Sequence, residues 1–237
     1  VINRIEDLLI IKDDWNELYA KGDYSTFQSF DFNYFSWKYG LISNKENQLS
    51  ITVVTTDKGV AAIFPFYIDA NKQLRFINDQ HFDFCDFISK ESVNFLEVYN
   101  YLRQELDIKL IRLINVREEA SIYNAVKEMD FKNKVILSIS EYSTLNLDKG
   151  TFPYNVSHYR SRHKNRINKA LKKNKEKQCV ILSHEKHDFP KKEILLLKET
   201  MICLGIRKDN FLTNARLSLI ESLYNSGVII LNIMKSK

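Results

Sequence analysis

LSITVVTTDKGVAAIFPFYI, Leu49 to Ile68, decides the fold of this chain. Two runs rich in β-branched and aromatic residues, Leu49 to Thr56 and Val60 to Ile68, flank the short turn Asp57-Lys58-Gly59. Such runs on either side of a glycine-containing turn read as a β-hairpin. Pro65 has no backbone N–H to give a ladder, which hints at an edge or a bulge. Gln73 to Asn78, QLRFIN, continues the meander as a third strand.

On the N-terminal side, Ile5, Leu8, Leu9, Trp15 and Leu18 recur at helical spacing, which predicts a helix from about Ile5 to Leu18. A second helix is expected from Asp31 to Leu41, around Tyr34, Phe35 and Trp37. On the C-terminal side, the loop HFDFCDFISKE precedes an amphipathic helix expected to be capped near Ser92, with Phe95, Leu96, Tyr99, Leu102 and Leu106 on its buried side. KLIRLINV is the next strand, followed by a helix from about Glu118 to Met129 and strands at Lys134 to Ser140 and Tyr142 to Leu147. The expected order is helix, helix, three antiparallel strands, helix, strand, helix, strand, strand: an α/β chain of the α+β kind, with a mixed sheet.

Farther out, positive charge collects in YRSRHKNRINKALKKNKEK, Tyr159 to Lys177. Asn155 to Lys177 holds nine Lys or Arg and one acid, Glu176, whereas the whole chain carries a net charge of +5. The rest of the molecule is therefore slightly acidic. As a helix, this segment places Val156, Tyr159, His163, Ile167, Ala170 and Leu171 along a narrow stripe, with cations fanned over the remainder. Like charges at helical spacing cost about 0.2–0.5 kcal/mol per pair, so packing of the stripe or an anionic partner must offset them. Tyr159, Arg160, Arg162, His163, Lys164 and Arg166 are the candidate substrate- or anion-binding residues, and a solvated face is the other reading of the same run. Beyond it come CVILSH (Cys179 to His184), a helix from Lys191 to Leu204, a helix from Asn214 to Asn225 and VIILNIM (Val228 to Met234).

With 237 residues, 15 Phe and 12 Tyr, the chain can build one large core or two small ones, and only 6 Gly and 3 Pro interrupt it. No apolar run reaches the roughly 18 residues of a membrane span, and no signal-type leader opens the sequence, so a cytoplasmic location is expected. Cys85, Cys179 and Cys203 are scattered and odd in number, which fits free thiols in a reducing compartment. His184, Glu185, His187 and Asp188 lack zinc-motif spacing, and His158 and His163 sit among cations, so no metal is expected. There is no Walker motif and no GxSxG elbow.

The residues resemble the GNAT-like acetyltransferases associated with cellulose and other exopolysaccharide biosynthesis, distantly related to FemAB-type transferases. The likeness runs through Trp15 and Leu18, Phe27 and Trp37, the VAAIFPFYI strand, the aromatic and acidic loop ending Asp83-Phe84-Cys85-Asp86, and YRSRHKNRINKALKKN before a strand. It covers essentially the whole chain. It implies a GNAT-like acyl-CoA N-acyltransferase fold in tandem: residues 1–150 as a first copy without its first strand, 151–177 as a basic connecting helix, and 178–237 as the start of an incomplete second copy. The missing first strand would precede Val1. The implied reaction is acetyl transfer from acetyl-CoA to a sugar or other envelope precursor.

The sequence departs from that pattern at one point. A GNAT site grips the CoA diphosphate with backbone N–H groups in a glycine-rich turn between a strand and a helix. Here the corresponding position reads Asn78-Asp79-Gln80-His81-Phe82-Asp83, with no glycine and two acids, and in the second copy it would lie beyond Lys237. For acid–base chemistry the richest cluster is His81, Asp83 and Asp86, where an imidazole oriented by a carboxylate could deprotonate a hydroxyl or amine. The same loop could equally pack Phe82, Phe84 and Phe87 and expose its acids. Cys85 as a nucleophile would need a positioned base and a lowered pKa, and the bland alternative is a small buried hydrophobe.

Two function classes follow. One is an acyltransferase, or a scaffold derived from one that has lost catalysis. The other is a non-enzymatic module whose basic helix tracks an anion or nucleic-acid phosphates. Nucleic acid is the less expected partner, because the cations share their helix with an apolar stripe that asks to be buried. The VIILNIM strand, with an unpaired edge, raises the expectation of a homo-oligomer.

Overall fold

The computed structural model describes residues 1–77, 79, 83–90, 93–127, 161–177, 180–184, 188–208 and 212–235. The expected strands at 134–140 and 142–147 lie outside the described residues. The chain is mixed α/β with a mixed sheet. It divides into two compact units, Val1–Asp130 with Lys186–Ile230, and Phe131–Glu185 with Leu231–Lys237. The boundaries at 150 and 177 expected from sequence do not coincide with these.

The first unit opens with α1 (Ile5–Leu8), a 3-10 turn (Leu9–Ile11) and α2 (Lys12–Lys21) in place of one continuous helix. Because the tighter turn breaks the 3.6-residue period, Leu8, Trp15 and Leu18 are buried while Leu9 is 53% exposed. α3 (Phe30–Tyr39) is capped by Ser29, whose hydroxyl accepts from the Phe32 N–H at 3.3 Å.

β1 (Gln48–Thr56) and β2 (Gly59–Ile68) form the expected antiparallel hairpin, with a register shift at Val54/Thr55. Gly59 has φ +99, so a side chain there would be strained. β3 (Gln73–Phe76) pairs antiparallel with the end of β2, and β4 (Ile88–Ser89), a strand too short to show in the sequence pattern, pairs with its beginning. α4 (Phe95–Glu105) then leads to β5 (Leu110–Ile111), which lies parallel to β3, and α5 (Ser121–Lys127) follows. The sheet order is β1-β2-β3-β5, with β4 beside β2.

Pro65 sits in a central strand rather than at an edge. Ile51, its opposite in β1, turns its N–H and C=O outward to bond Ile2 at 3.0 and 2.8 Å, so β1 asks nothing of Pro65. On its other side Pro65 accepts from the Ile77 N–H at 2.9 Å and has no donor to return, at the place where β2 passes from β3 to β4.

The period of two along β2 builds a core on each face. Ala62, Phe64, Phe66 and Ile68 pack with Leu74, Phe76, Phe87, Phe95, Val98, Leu102 and Ile122 on the α4–α5 side. Ile63 and Tyr67 pack with Leu8, Trp15, Leu18, Phe30, Trp37 and Ile51 on the α1–α3 side. Each fully buried side chain of this size contributes about 1.5–3 kcal/mol. The cap of α4, expected near Ser92, is Asn94, accepting from the Leu96 N–H at 3.1 Å, and Leu96 is 43% exposed instead of buried.

α7 (Lys191–Cys203) and α8 (Asn214–Asn225) also belong to the first unit. α8 lays Leu223 against Phe32 of α3, with Phe27, Phe35, Leu219, Val228 and Ile229 around them. In the second unit, α6 (Ser161–Glu176) is the basic helix, and β6 (Val180–His184) pairs antiparallel with β7 (Leu231–Lys235). VIILNIM is therefore divided: Val228 and Ile229 pack with α8, and the strand itself begins at Leu231.

Candidate functional site

β3 and β5 run together for only two residues, Gln73 opposite Leu110 and Leu74 opposite Ile111, before the ladder closes with the Arg112 N–H on the Leu74 carbonyl at 2.9 Å. Past that point the chain after β3 is held by Asn115, in the left-handed region at φ 56. Its side-chain Nδ2 donates to the Asp79 carbonyl at 2.6 Å, and its own carbonyl accepts from the Cys85 N–H at 2.9 Å. The acidic and aromatic loop is thereby pinned where the two strands part. A small recess between the helical layer, the end of β3 and this loop is lined by Phe27, Asn33, Phe76, Phe84, Cys85 and Asp86, among others.

The helical layer fixes the other side of this loop. The Gln28 amide donates to the Phe84 carbonyl at 2.5 Å and accepts from the Ser25 N–H at 2.8 Å, while the Trp15 indole donates to the Gln28 carbonyl at 2.9 Å. Asn33 donates to the Phe27 and Ser29 carbonyls at 3.0 and 2.9 Å, holding the turn that carries Phe27 toward Phe84. The Arg117 guanidinium lies 5.0 Å from the Phe84 ring. Two of the loop's aromatics pack: Phe84 against Phe27, and Phe87 on Phe64 with centroids 4.3 Å apart, while Phe82 lies outside the described residues.

Below the recess is a buried charge cluster that sequence reading did not single out. Arg75 reaches Asp79 with two parallel hydrogen bonds, Nε to Oδ2 at 3.0 Å and Nη2 to Oδ1 at 2.8 Å, and Nη1 lies 3.5 Å from Asp69 Oδ2. Asp69 in turn accepts from the Asn71 and Gln73 N–H groups at 2.9 and 3.0 Å, tying the cluster to the β2–β3 turn. Burial pushes the Asp79 carboxyl above the usual range, against the bonds and charge of Arg75. Tyr67, its ring 6.0 Å from the guanidinium, is pushed up to about 12 by burial and then by the Asp79 charge. The signal available in the sequence was an Arg inside an apolar strand with an Asp four residues on.

Of the candidate acid–base residues, His81 lies outside the described residues. Asp83 is exposed at a bend. Asp86 is committed to backbone: Oδ1 accepts from the Phe87 and Ile122 N–H groups, each at 2.9 Å, and Oδ2 from the Ser121 N–H at 2.8 Å. Burial pushes its carboxyl above the usual range while these three donors pull it down. Asp86 thus caps α5 from 35 residues away, a role that spacing along the chain cannot reveal. Burial, then the nearby Asp79 and Asp86 charges, push the Cys85 thiol up to about 12, so it stays protonated at neutral pH and is no nucleophile there.

Among the candidate anion-binding residues, Tyr159 and Arg160 lie outside the described residues, Arg162 and His163 lie on the first turn of α6, and Lys164 and Arg166 are exposed. These belong to the second unit, whereas Asp83 and Asp86 belong to the first.

The residues after β3 do not fit a diphosphate cradle. Asp79 points its carboxylate into the interior against Arg75, and α4 follows β4 rather than β3, with the Leu96 N–H at its start already taken by Asn94. Among the described residues no group of three or more His, Cys, Asp or Glu could hold a metal ion, and no helix is long and apolar enough to cross a membrane. Compared with family models, curated proteins and solved structures, the chain matches none.

Proposed function

We propose that this chain is a GNAT-like acyltransferase, acting on a hydroxyl or amine of a sugar or envelope precursor with an acetyl thioester as donor. The observation that supports it most is the order of its first unit: a helical layer, an antiparallel meander, then α4 and a strand parallel to β3. An isolated antiparallel bridge joins Ile2 to Ile51 of β1, which is compatible with a first strand beside β1 in that plan. Asp83 is the described carboxylate available to take an acceptor proton, with His81 its companion by sequence, and Asp86 is a positioning residue that holds the loop on α5. No step is assigned to the donor's diphosphate, for which the turn after β3 is unsuited.

The test is acceptor-dependent release of free CoA from acetyl-CoA, with amino sugars and neutral hexoses as acceptors, run beside a melting curve with and without acetyl-CoA. The expected result is a raised melting temperature, since a ligand bound only by the native state stabilises it by mass action, and turnover that falls roughly 100-fold in Asp83→Asn. The absence of both a thermal shift and acceptor-dependent release would sink the reading.

A further inference from the structure

Helix α6 carries its charge in the open. Lys164, Arg166, Lys169, Lys172, Lys173 and Lys175 are all exposed, and the one acid of the helix, Glu176, sits 3.9 Å from Lys172. Of the stripe expected to dock, the described part is only partly covered: Leu171 is 46% exposed, Ala170 is exposed and Ile167 is half-buried. What removes the reason for disfavouring a polyanionic partner also raises the question of what covers Ile167 and Leu171.

At about 100° per residue, Ile167 and Leu171 define the middle of one face of the helix, with Ala170 and Asn174 beside them. Lys164 and Lys175 flank that face on one side, roughly 40–60° from its centre, and Arg166 and Lys173 lie on the other, roughly 120–140° from it. An apolar line edged by cations on both sides complements a surface that is apolar beneath a layer of negative charge. Long basic side chains on the flanks can then lift their heads to the anions while their stems lie along hydrocarbon. A nucleic-acid backbone would satisfy the cations but leave Leu171 in water or against phosphates.

We propose that α6 is a peripheral docking helix that lies on an anionic lipid bilayer, with Ile167 and Leu171 turned to the acyl boundary and Lys164, Arg166, Lys173 and Lys175 on the headgroups. The helix lies on the membrane and does not cross it: it is shorter than a span and rich in charge. Because the charge outside this segment is slightly acidic, the attraction is local to α6.

The experiment is co-sedimentation of the full 237-residue chain with vesicles of phosphatidylcholine alone and of phosphatidylcholine mixed with phosphatidylglycerol, at low and physiological salt. Binding is expected only to the mixed vesicles and should weaken with salt. Replacing Lys164, Arg166 and Lys173 together by Gln, which keeps helix propensity, should weaken it roughly 100-fold. Leu171→Gln should weaken it roughly fivefold at unchanged charge, with unaltered circular dichroism showing that the helix persists. A chain that ignores the mixed vesicles overturns the proposal. So does a chain that binds a short DNA duplex more tightly than it binds them, or a Leu171→Gln variant that binds the vesicles as well as its parent.

Discussion

Tyr67 gives the buried charge cluster a readout. An unfolded tyrosine ionises near pH 10, whereas in the folded chain burial and the Asp79 carboxylate hold this hydroxyl protonated to about pH 12. Its contribution is therefore fully present below pH 10. As pH rises from about 10 to 12 the unfolded state loses a proton that the folded state keeps, so stability falls over that window. Tyr67→Phe should flatten this part of the pH–stability curve, measured by urea denaturation, and an unchanged slope would refute the assignment. At this scale the sequence was partly legible. Trp15, Leu18, Phe95 and Leu102 were expected in the core from their spacing and are there, but Leu9 and Leu96 were not separable from them by spacing alone. Arg75 and Asp79 were missed because a charge in a strand advertises its partner only when the turn beyond it is known.

Asp86 and α5 show how an element can depend on a distant side chain. The helix is seven residues long, too short to hold itself, and its first amides are satisfied by a carboxylate from the loop before β4. Asp86→Ala should cost about 1–3 kcal/mol and speed amide exchange at Ser121 and Ile122 well beyond the global change. Exchange that rises no more there than in β2 would mean that α5 is held by packing of Ile122 instead. Elements with strong internal period were read correctly from sequence: β1 and β2, α8 at Asn214–Asn225, and α7 within a residue of its end. Those that rest on tertiary partners were not, as β4 and the shortened β5 show, since two-residue strands exist only through their neighbours.

On the scale of the whole chain, the first unit is discontinuous: residues 188–230 contribute α7 and α8 to it after the chain has passed through the second unit. The resemblance implied the start of a second copy at 178–237, and the return of α8 to α3 is invisible in the sequence until Phe32 and Leu223 are seen in contact. A fragment of residues 1–130 should lose the cover over Phe32 and about 3 kcal/mol of stability relative to the full chain. Both tryptophans, Trp15 and Trp37, lie in that fragment and report its unfolding by fluorescence. An unchanged urea midpoint would show that α8 is dispensable.

The proline in β2 also decides where the acceptor loop begins. After the Ile77 amide has bonded Pro65, the reciprocal bond needs a hydrogen atom that residue 65 does not have, so the zipper between β3 and β2 jams one rung past Phe76. The described residues between Ile77 and Ile88, Asp79 and Asp83 to Phe87, lie outside the β2 ladder before Ile88 picks up the same strand lower down. A single absent proton in the middle of the sheet thus works as a full stop for one strand and an opening bracket for the loop that carries Asp83 and Asp86.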